Sequence, residues 1–306
     1  MKVIQEHTFG IARKIVSNMT SESWETIPHS VCSYEADVTK LMPLIKEMNE
    51  GASKEDKVTI NTIMLKIICE GIKASPIINS HLDFSRKLVR GTVKVYENVN
   101  ISMPMILPSG EMMTVNMRDM HNKTITEMSK EIARTAGKAK NSNLDEALYS
   151  VSIHDTLEGL KKGKIAQALT RLYGSKMPGK HRVRTLKGEE KEKYYAIPEH
   201  ERLSQQDLEQ GTITVSNLGS IYREGTSKCY LLEIIPPQTT VIALVSIRDE
   251  AVVVTDENGE KKIEIHQILP MTVAFDHRAY DYGNLVPFFR RLDEIFANPE
   301  VIKNWK

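Results

Sequence analysis

The sequence predicts an α/β fold, one domain interrupted by an insertion at about residues 143–203. Two patterns carry that expectation. Segments with apolar residues three and four apart alternate with short runs rich in β-branched residues, as layered α/β domains require. A Gly- and Lys-rich stretch then breaks that texture before strand-like runs resume. The length agrees, because 306 residues suit one large domain or two ordinary ones, single cores ceasing to grow at roughly 250–300 residues.

The elements follow in order. Ile11, Ile15 and Met19 share one helical face, so a short amphipathic helix is expected over 9–19. Residues 30–36 read as a strand. Thr39 is placed to cap a helix running to about Met48, with Leu41, Leu44, Ile45 and Met48 on one side and Pro43 in the first turn, where a missing N–H costs little. A third helix follows Thr59, carries Ile63, Ile67, Ile68 and Ile72, and ends before Pro76. Strands are expected at 77–83, 91–96, 98–107 and 112–117, with Pro108, Ser109 and Gly110 supplying a turn. Residues 124–138 return to helical spacing. Within the insertion, Asp155 and Glu158 resemble a capping box ahead of a basic amphipathic helix over 157–173, and 174–202 has little periodicity. Strands resume at 211–216, 240–247, 251–255 and 262–275. A helix over about 286–297 closes the chain, with Phe288, Phe289, Leu292, Ile295 and Phe296 as its apolar set.

Composition excludes some classes of function. Hydrophobic residues make up 41% and charged residues 26%, with a formal net charge of +1; this is neither a disordered chain, nor a basic nucleic-acid coat, nor an acidic solubiliser. The balance conceals an asymmetry. Nine Lys/Arg and no Asp or Glu lie between Lys161 and Lys187, so that run is +9 and the remainder −8. Such a run suits capture of anionic substrate groups, docking on an acidic partner or membrane surface, or simply a solvated face. Only Tyr173 interleaves an aromatic with it, and no nucleic-acid partner is expected. Cys32, Cys69 and Cys229 are scattered, with no CxxC or zinc spacing, so neither a metal site nor a disulfide framework is expected. No apolar run reaches signal or spanning length, which predicts a cytoplasmic protein without membrane attachment.

Two stretches hold residue types suited to chemistry. FDHRAYDYG, residues 275–283, places His277 and Asp281 four apart between a strand end and a helix. A histidine there can reach an open cleft while regular structure holds its backbone, and its ordinary pKa near 6.5 suits general-base work. The same pattern also fits a surface histidine in a charged loop. GTITVSNLGS, residues 211–220, aligns the hydroxyls of Thr212, Thr214 and Ser216 on one face of a strand ending in a Gly turn. A serine held at a strand end can donate to a developing oxyanion, although an ordinary strand and turn would read alike. There is no GxSxG elbow, Walker A motif or dinucleotide fingerprint.

These stretches carry a resemblance. FDHRAYDYG resembles the DHRxxDG signature of the acyltransferase components of 2-oxoacid dehydrogenase complexes, shared in looser form with chloramphenicol acetyltransferases. GTITVSNLGS is similar to that family's second conserved stretch, the run from Ile234 to Gln238 to its third, residues 13–41 to its opening helix and strand, and Asn298-Pro299-Glu300 to its ending. The likeness covers about 1–140 and 204–303. It implies a chloramphenicol acetyltransferase-like α/β two-layer sandwich with a mixed sheet, assembled as a homotrimer and possibly a larger cage. It further implies that His277 of one subunit faces Ser216 of its neighbour, that coenzyme A is a substrate, and that the acceptor is a dihydrolipoyl group on a separate protein or another nucleophile. Asp281 matches the signature's last Asp and is expected to pair with Arg13, fixing the histidine loop; Asn217 and Gly219 are candidate substrate-binding positions. The family's complex-forming members carry lipoyl and subunit-binding domains ahead of the core. Here the core begins within ten residues, so a single catalytic domain over 1–306 without those modules is expected. One departure stands out: Tyr282 occupies the signature's glycine position, with Gly283 one place later. Two alternatives remain, a small-molecule O- or N-acetyltransferase and a non-catalytic trimeric scaffold.

Overall fold

A computed structural model of the chain describes residues 1–53, 56–106, 110, 112–161, 165, 169–170, 173, 185–224 and 227–305. Its strands are β1 His29–Asp37, β2 Ser80–Ser85, β3 Arg90–Val95, β4 Ile101–Ile106, β5 Met112–Met117, β6 Ile213–Asn217, β7 Thr240–Leu244, β8 Arg248–Thr255 and β9 Lys261–Asp276. Its helices are α1 Ile11–Thr26, α2 Leu41–Met48, α3 Ile60–Ala74, α4 Ile125–Lys140, α5 Leu144–Lys161, α6 Gly188–Ala196, α7 Gln205–Leu208 and α8 Tyr282–Ala297. Seven strands form one mixed sheet in the order β1-β9-β7-β6-β4-β5, with β8 also pairing β9, and β2-β3 form a separate hairpin. β6 runs parallel to β4 and β7, whereas β9 runs antiparallel to β1, β7 and β8. The second half of β9 is buried throughout, as its near-continuous apolar run requires of a central strand.

The chain divides into two compact units. The larger comprises Ser23–Pro104, Asn116–Ala133 and Gln210–Lys306. Its core includes Ile63, Met64, Ile67, Ile68 and Ile72 of α3 and Leu285, Phe288 and Leu292 of α8. The two helices approach closely because Gly71 has no side chain; a Cβ there would lie 2.6 Å from Phe288 ring carbons and 2.7 Å from a Leu292 methyl. Lys66 is buried on α3, and its Nζ donates to the carbonyls of His121 (3.0 Å) and Lys123 (2.8 Å). Burial lowers its pKa, partly opposed by Glu70. The smaller unit comprises Met1–Glu22, Met105–Val115 and Arg134–Glu209. Met113, Val115, Ala139, Leu144 and Leu203 form its buried cluster. There the buried Glu146 accepts from the Leu186 N–H (3.1 Å) and the Tyr195 hydroxyl (2.8 Å), tying α5 to the chain's return through α6.

Several expectations need correction. Thr39 does not cap α2; its hydroxyl instead accepts the Gln267 N–H of β9 at 2.9 Å, a tertiary use that displaces the local one. Residues 76–78 form a 3₁₀ turn begun by Pro76, so the strand expected at 77 starts at Ser80. Asp155 and Glu158 lie inside α5 and open no helix. The strand expected over 240–247 ends at Leu244. The last helix begins at Tyr282, a turn before the expected start, because Asp281 provides its N-terminal boundary and Asn284 Oδ1 accepts the Asp281 N–H at 3.0 Å. Pro108, Ser109 and most of the basic run, including Lys162, Lys164, Arg171, Lys176, Lys180, Arg182 and Arg184, lie outside the described residues.

Candidate active site

His277 follows directly on β9, and the last residues of that strand are pinned from both sides. The Asp276 N–H donates to the Thr239 carbonyl at 2.8 Å, and the His277 N–H to the Pro28 carbonyl at 3.2 Å. Asp276 is 1% exposed and carries Arg278 as a fork, with Nε 2.9 Å from Oδ1 and Nη2 2.7 Å from Oδ2. Such a bidentate, largely buried pair fixes orientation as well as charge. The Arg278 guanidinium also lies 5.4 Å from the Phe84 ring centroid. Tyr280 is buried, stacks on Phe275 with centroids 5.1 Å apart, and shares a hydrogen bond with the Thr240 hydroxyl. Burial raises the Tyr280 pKa, keeping the phenol neutral in that bond. Sequence reasoning assigned no role to Asp276, Arg278 or Tyr280, although all three lie inside the stretch that it singled out.

These supports leave the His277 ring half-exposed. Its Nδ1 lies 3.1 Å from Asp281 Oδ1, on a carboxylate that is itself largely exposed. A proton on Nδ1 satisfies that contact and leaves Nε2 as the free, basic nitrogen. Asp281 thus meets His277; Arg13, its expected partner, is an exposed residue of α1. Tyr282 is exposed at the first turn of α8, and Gly283 has an ordinary backbone conformation, so the shifted glycine imposes no bend.

Ser216 is the penultimate residue of β6 and is 3% exposed. Among the described residues its hydroxyl makes no hydrogen bond, in contrast to Thr214 on the same face, which donates to Gln238 at 2.6 Å. Asn217 ends the strand, and its Oδ1 accepts the Ser220 N–H at 2.9 Å, closing the turn. Gly219 lets that turn press on the chain beyond β7, since a Cβ would lie 2.7 Å from the Val245 carbonyl oxygen.

The register separates the two groups. Ser216 pairs with Ala243, and Ala243 with Thr272; His277 lies five residues beyond Thr272 and two strands across. At about 3.3 Å per residue and 4.8 Å per strand, their backbones within one chain are roughly 19 Å apart. One molecule therefore cannot bring both to the same carbonyl. The thiols offer no substitute nucleophile there, since burial raises Cys32 to about 11 and Cys69 to about 12. Among the described residues, no group of three His, Cys, Asp or Glu side chains is placed to hold a metal ion, and no helix is long and apolar enough to cross a membrane.

A proton-accepting histidine oriented by a carboxylate and an unengaged hydroxyl at a strand end are the parts that acyl transfer requires. The chain belongs to the family of 2-oxoacid dehydrogenases acyltransferases (catalytic domain), whose pattern it matches over residues 3–150 and 189–303. It is 21% identical over 287 residues to the mitochondrial dihydrolipoyllysine-residue acetyltransferase component of the pyruvate dehydrogenase complex of Saccharomyces cerevisiae. That match covers 94% of this chain but 45% of the yeast protein, so the chain spans about half the length of such relatives. The fold is shared with the dihydrolipoamide acetyltransferase of Azotobacter vinelandii, at a TM-score of 0.66 and 18% identity over 98% of this chain and 94% of that one. That structure is described with the roles of a serine, a histidine and an asparagine four residues beyond the histidine in its catalytic mechanism. A second structure, described as the cubic core of the pyruvate dehydrogenase multienzyme complex, matches with the same score and coverage.

Proposed function

We propose that the chain transfers an acyl group, acetyl by analogy with its relatives, between coenzyme A and a dihydrolipoyl thiol. The single observation that carries this reading is the His277–Asp281 pair, a half-exposed imidazole directly after β9 whose Nδ1 is held against a carboxylate. Nε2 takes the thiol proton and the thiolate attacks the thioester carbonyl, forming the new carbon–sulfur bond. The Ser216 hydroxyl donates to the tetrahedral oxyanion. Collapse breaks the old carbon–sulfur bond, and the imidazolium returns its proton to the departing thiolate. Because the register holds Ser216 and His277 far apart in one chain, each site takes its histidine from one copy and its serine from another, which a trimer supplies. The serine and histidine named for the Azotobacter enzyme support these two roles, and its asparagine stands where this chain has Asp281. The cubic-core relative supports assembly of trimers into a cage.

The test is release of free coenzyme A from acetyl-coenzyme A, resolved by chromatography because transfer between thiols leaves total thiol unchanged, with and without dihydrolipoamide. Release should depend on dihydrolipoamide. His277→Ala should lower kcat about 10²–10⁴-fold and Ser216→Ala about 10²–10³-fold, with the oligomer intact by light scattering. Wild-type turnover in purified His277→Ala protein would overturn the assignment.

A further inference from the structure

We propose that Asn61 is a positioning residue for the oxyanion donor; this rests on the acyl-transfer reading of Ser216. Asn61 is the second residue of α3, and its Oδ1 accepts a hydrogen bond from Asn217 Nδ2 at 2.8 Å. Asn217 immediately follows Ser216 at the end of β6, where pairing with β4 has already stopped at Thr214 and pairing with β7 ends at Leu244, so this contact adds a side-chain restraint to the strand end. Other bonds hold the turn beyond it. The Ser220 N–H donates to Asn217 Oδ1 and the Ser220 hydroxyl to the Asn217 carbonyl (2.7 Å), which fixes the turn that follows. That turn cannot move toward β7, because Gly219 already lies against the Val245–Ser246 backbone with no room for a methyl. The bond to Asn61 ties the strand end to α3 as well.

The post itself is firm. Thr59 caps α3 by accepting the Thr62 N–H at 3.2 Å. The buried Thr62 hydroxyl is linked to Thr59 (3.0 Å) and to Ser129 (3.2 Å). One turn further on, Lys66 ties the helix to the carbonyls of His121 and Lys123. Asn61 is therefore a fixed acceptor on a well-tied helix, set against the last residue of a strand whose preceding hydroxyl, among the described residues, has no bond of its own to orient it. Oxyanion stabilisation depends on where the donor sits when charge develops, and displacements near 1 Å can cost about 10²-fold in rate.

A double-mutant cycle on the full chain tests this. Asn61→Leu should lower kcat about 10- to 100-fold with KM for acetyl-coenzyme A and for dihydrolipoamide within about 3-fold. Asn61→Asp, which still accepts from Asn217 Nδ2 and suits a helix N-terminus, should restore most of the loss. In a Ser216→Ala background the same Asn61→Leu change should cost less than about 2-fold, because the donor it positions is gone. Equal losses in both backgrounds, or no rescue by Asp, overturn the proposal while leaving the role of Ser216 standing. Unchanged kcat in Ser216→Ala instead overturns the oxyanion role of Ser216 on which this proposal rests. If Asn61→Leu does not fold, Asn61→Ser carries the same expectations with a smaller side chain.

Discussion

The His277–Asp281 contact joins a half-exposed ring to a largely exposed carboxylate, and pairs of that kind contribute roughly 0–1 kcal/mol to stability. Its value lies in the tautomer it selects and the direction in which it aims the ring. Asp281→Ala should therefore lower kcat about 10-fold, a barrier change near 1.4 kcal/mol, while thermal melting moves by no more than about 2 °C. An equal fall in melting temperature and activity would make the residue structural. Tyr282 bears on the same loop from outside. It is exposed, and Gly283 behind it is conformationally ordinary, so Tyr282→Gly should change kcat by less than about 2-fold, at a cost typical of a glycine within a helix, about 0.5–1 kcal/mol. Steady-state kinetics on the two variants separates a residue that orients the base from one that merely adjoins it.

Elements were legible in the sequence wherever local pattern and tertiary use coincide. α3 was readable because the Thr59 cap, its apolar face and Pro76 all mark the same boundaries. β9 was readable from its length and β-branched content. Boundaries failed where a distant partner decided them, as at Thr39, which serves β9, and at Asp281, which starts α8 with the help of Asn284. The motifs marked His277 and Ser216 as candidates, and their distance within one chain follows from the pairing of β6, β7 and β9, which no local pattern contains. Two predictions belong to elements. Gly71→Ala forces a methyl into the α3–α8 contact and should destabilise by about 1–3 kcal/mol in chemical denaturation. The β8–β9 hairpin meets β1 through His266 Nδ1 and Asp37 Oδ2, 2.5 Å apart. The Asp37 hydrogen bond raises the His266 pKa against a smaller desolvation effect. For Asp37, burial pushes upward, but hydrogen bonds from Thr39 and His266 outweigh it and hold the carboxyl below its usual range. The histidine's contribution is full below about pH 6.5 and is lost as pH rises through its higher folded value; the carboxylate's is present above about pH 4 and is lost as pH falls through its lower one. His266→Gln should therefore destabilise more at pH 6 than at pH 9, measured by denaturant midpoints. An equal loss at both would mean that the contact is not ionic.

At the scale of the whole molecule, the sheet register makes a demand that no single chain can satisfy. Roughly 19 Å separates the Ser216 and His277 backbones. On the proposed reading, each site in a closed ring combines one copy's serine with the next copy's histidine, a head-to-tail arrangement in which every interface is equivalent. Mixing then gives a sharp expectation. His277→Ala subunits keep a working serine, Ser216→Ala subunits keep a working histidine, and each alone is nearly inactive. After the two are unfolded and refolded together in equal amounts, an interface is complete only when the serine side comes from the first kind and the histidine side from the second. Random assembly makes about a quarter of interfaces complete, so the mixture should recover about a quarter of the wild-type rate of coenzyme A release, while each variant refolded alone stays nearly inactive. If both residues instead served one site within one chain, no subunit in the mixture would hold both, and activity would stay at the level of the separate variants. The recovered fraction thus reads out whether the distance set by β6, β7 and β9 is bridged by assembly.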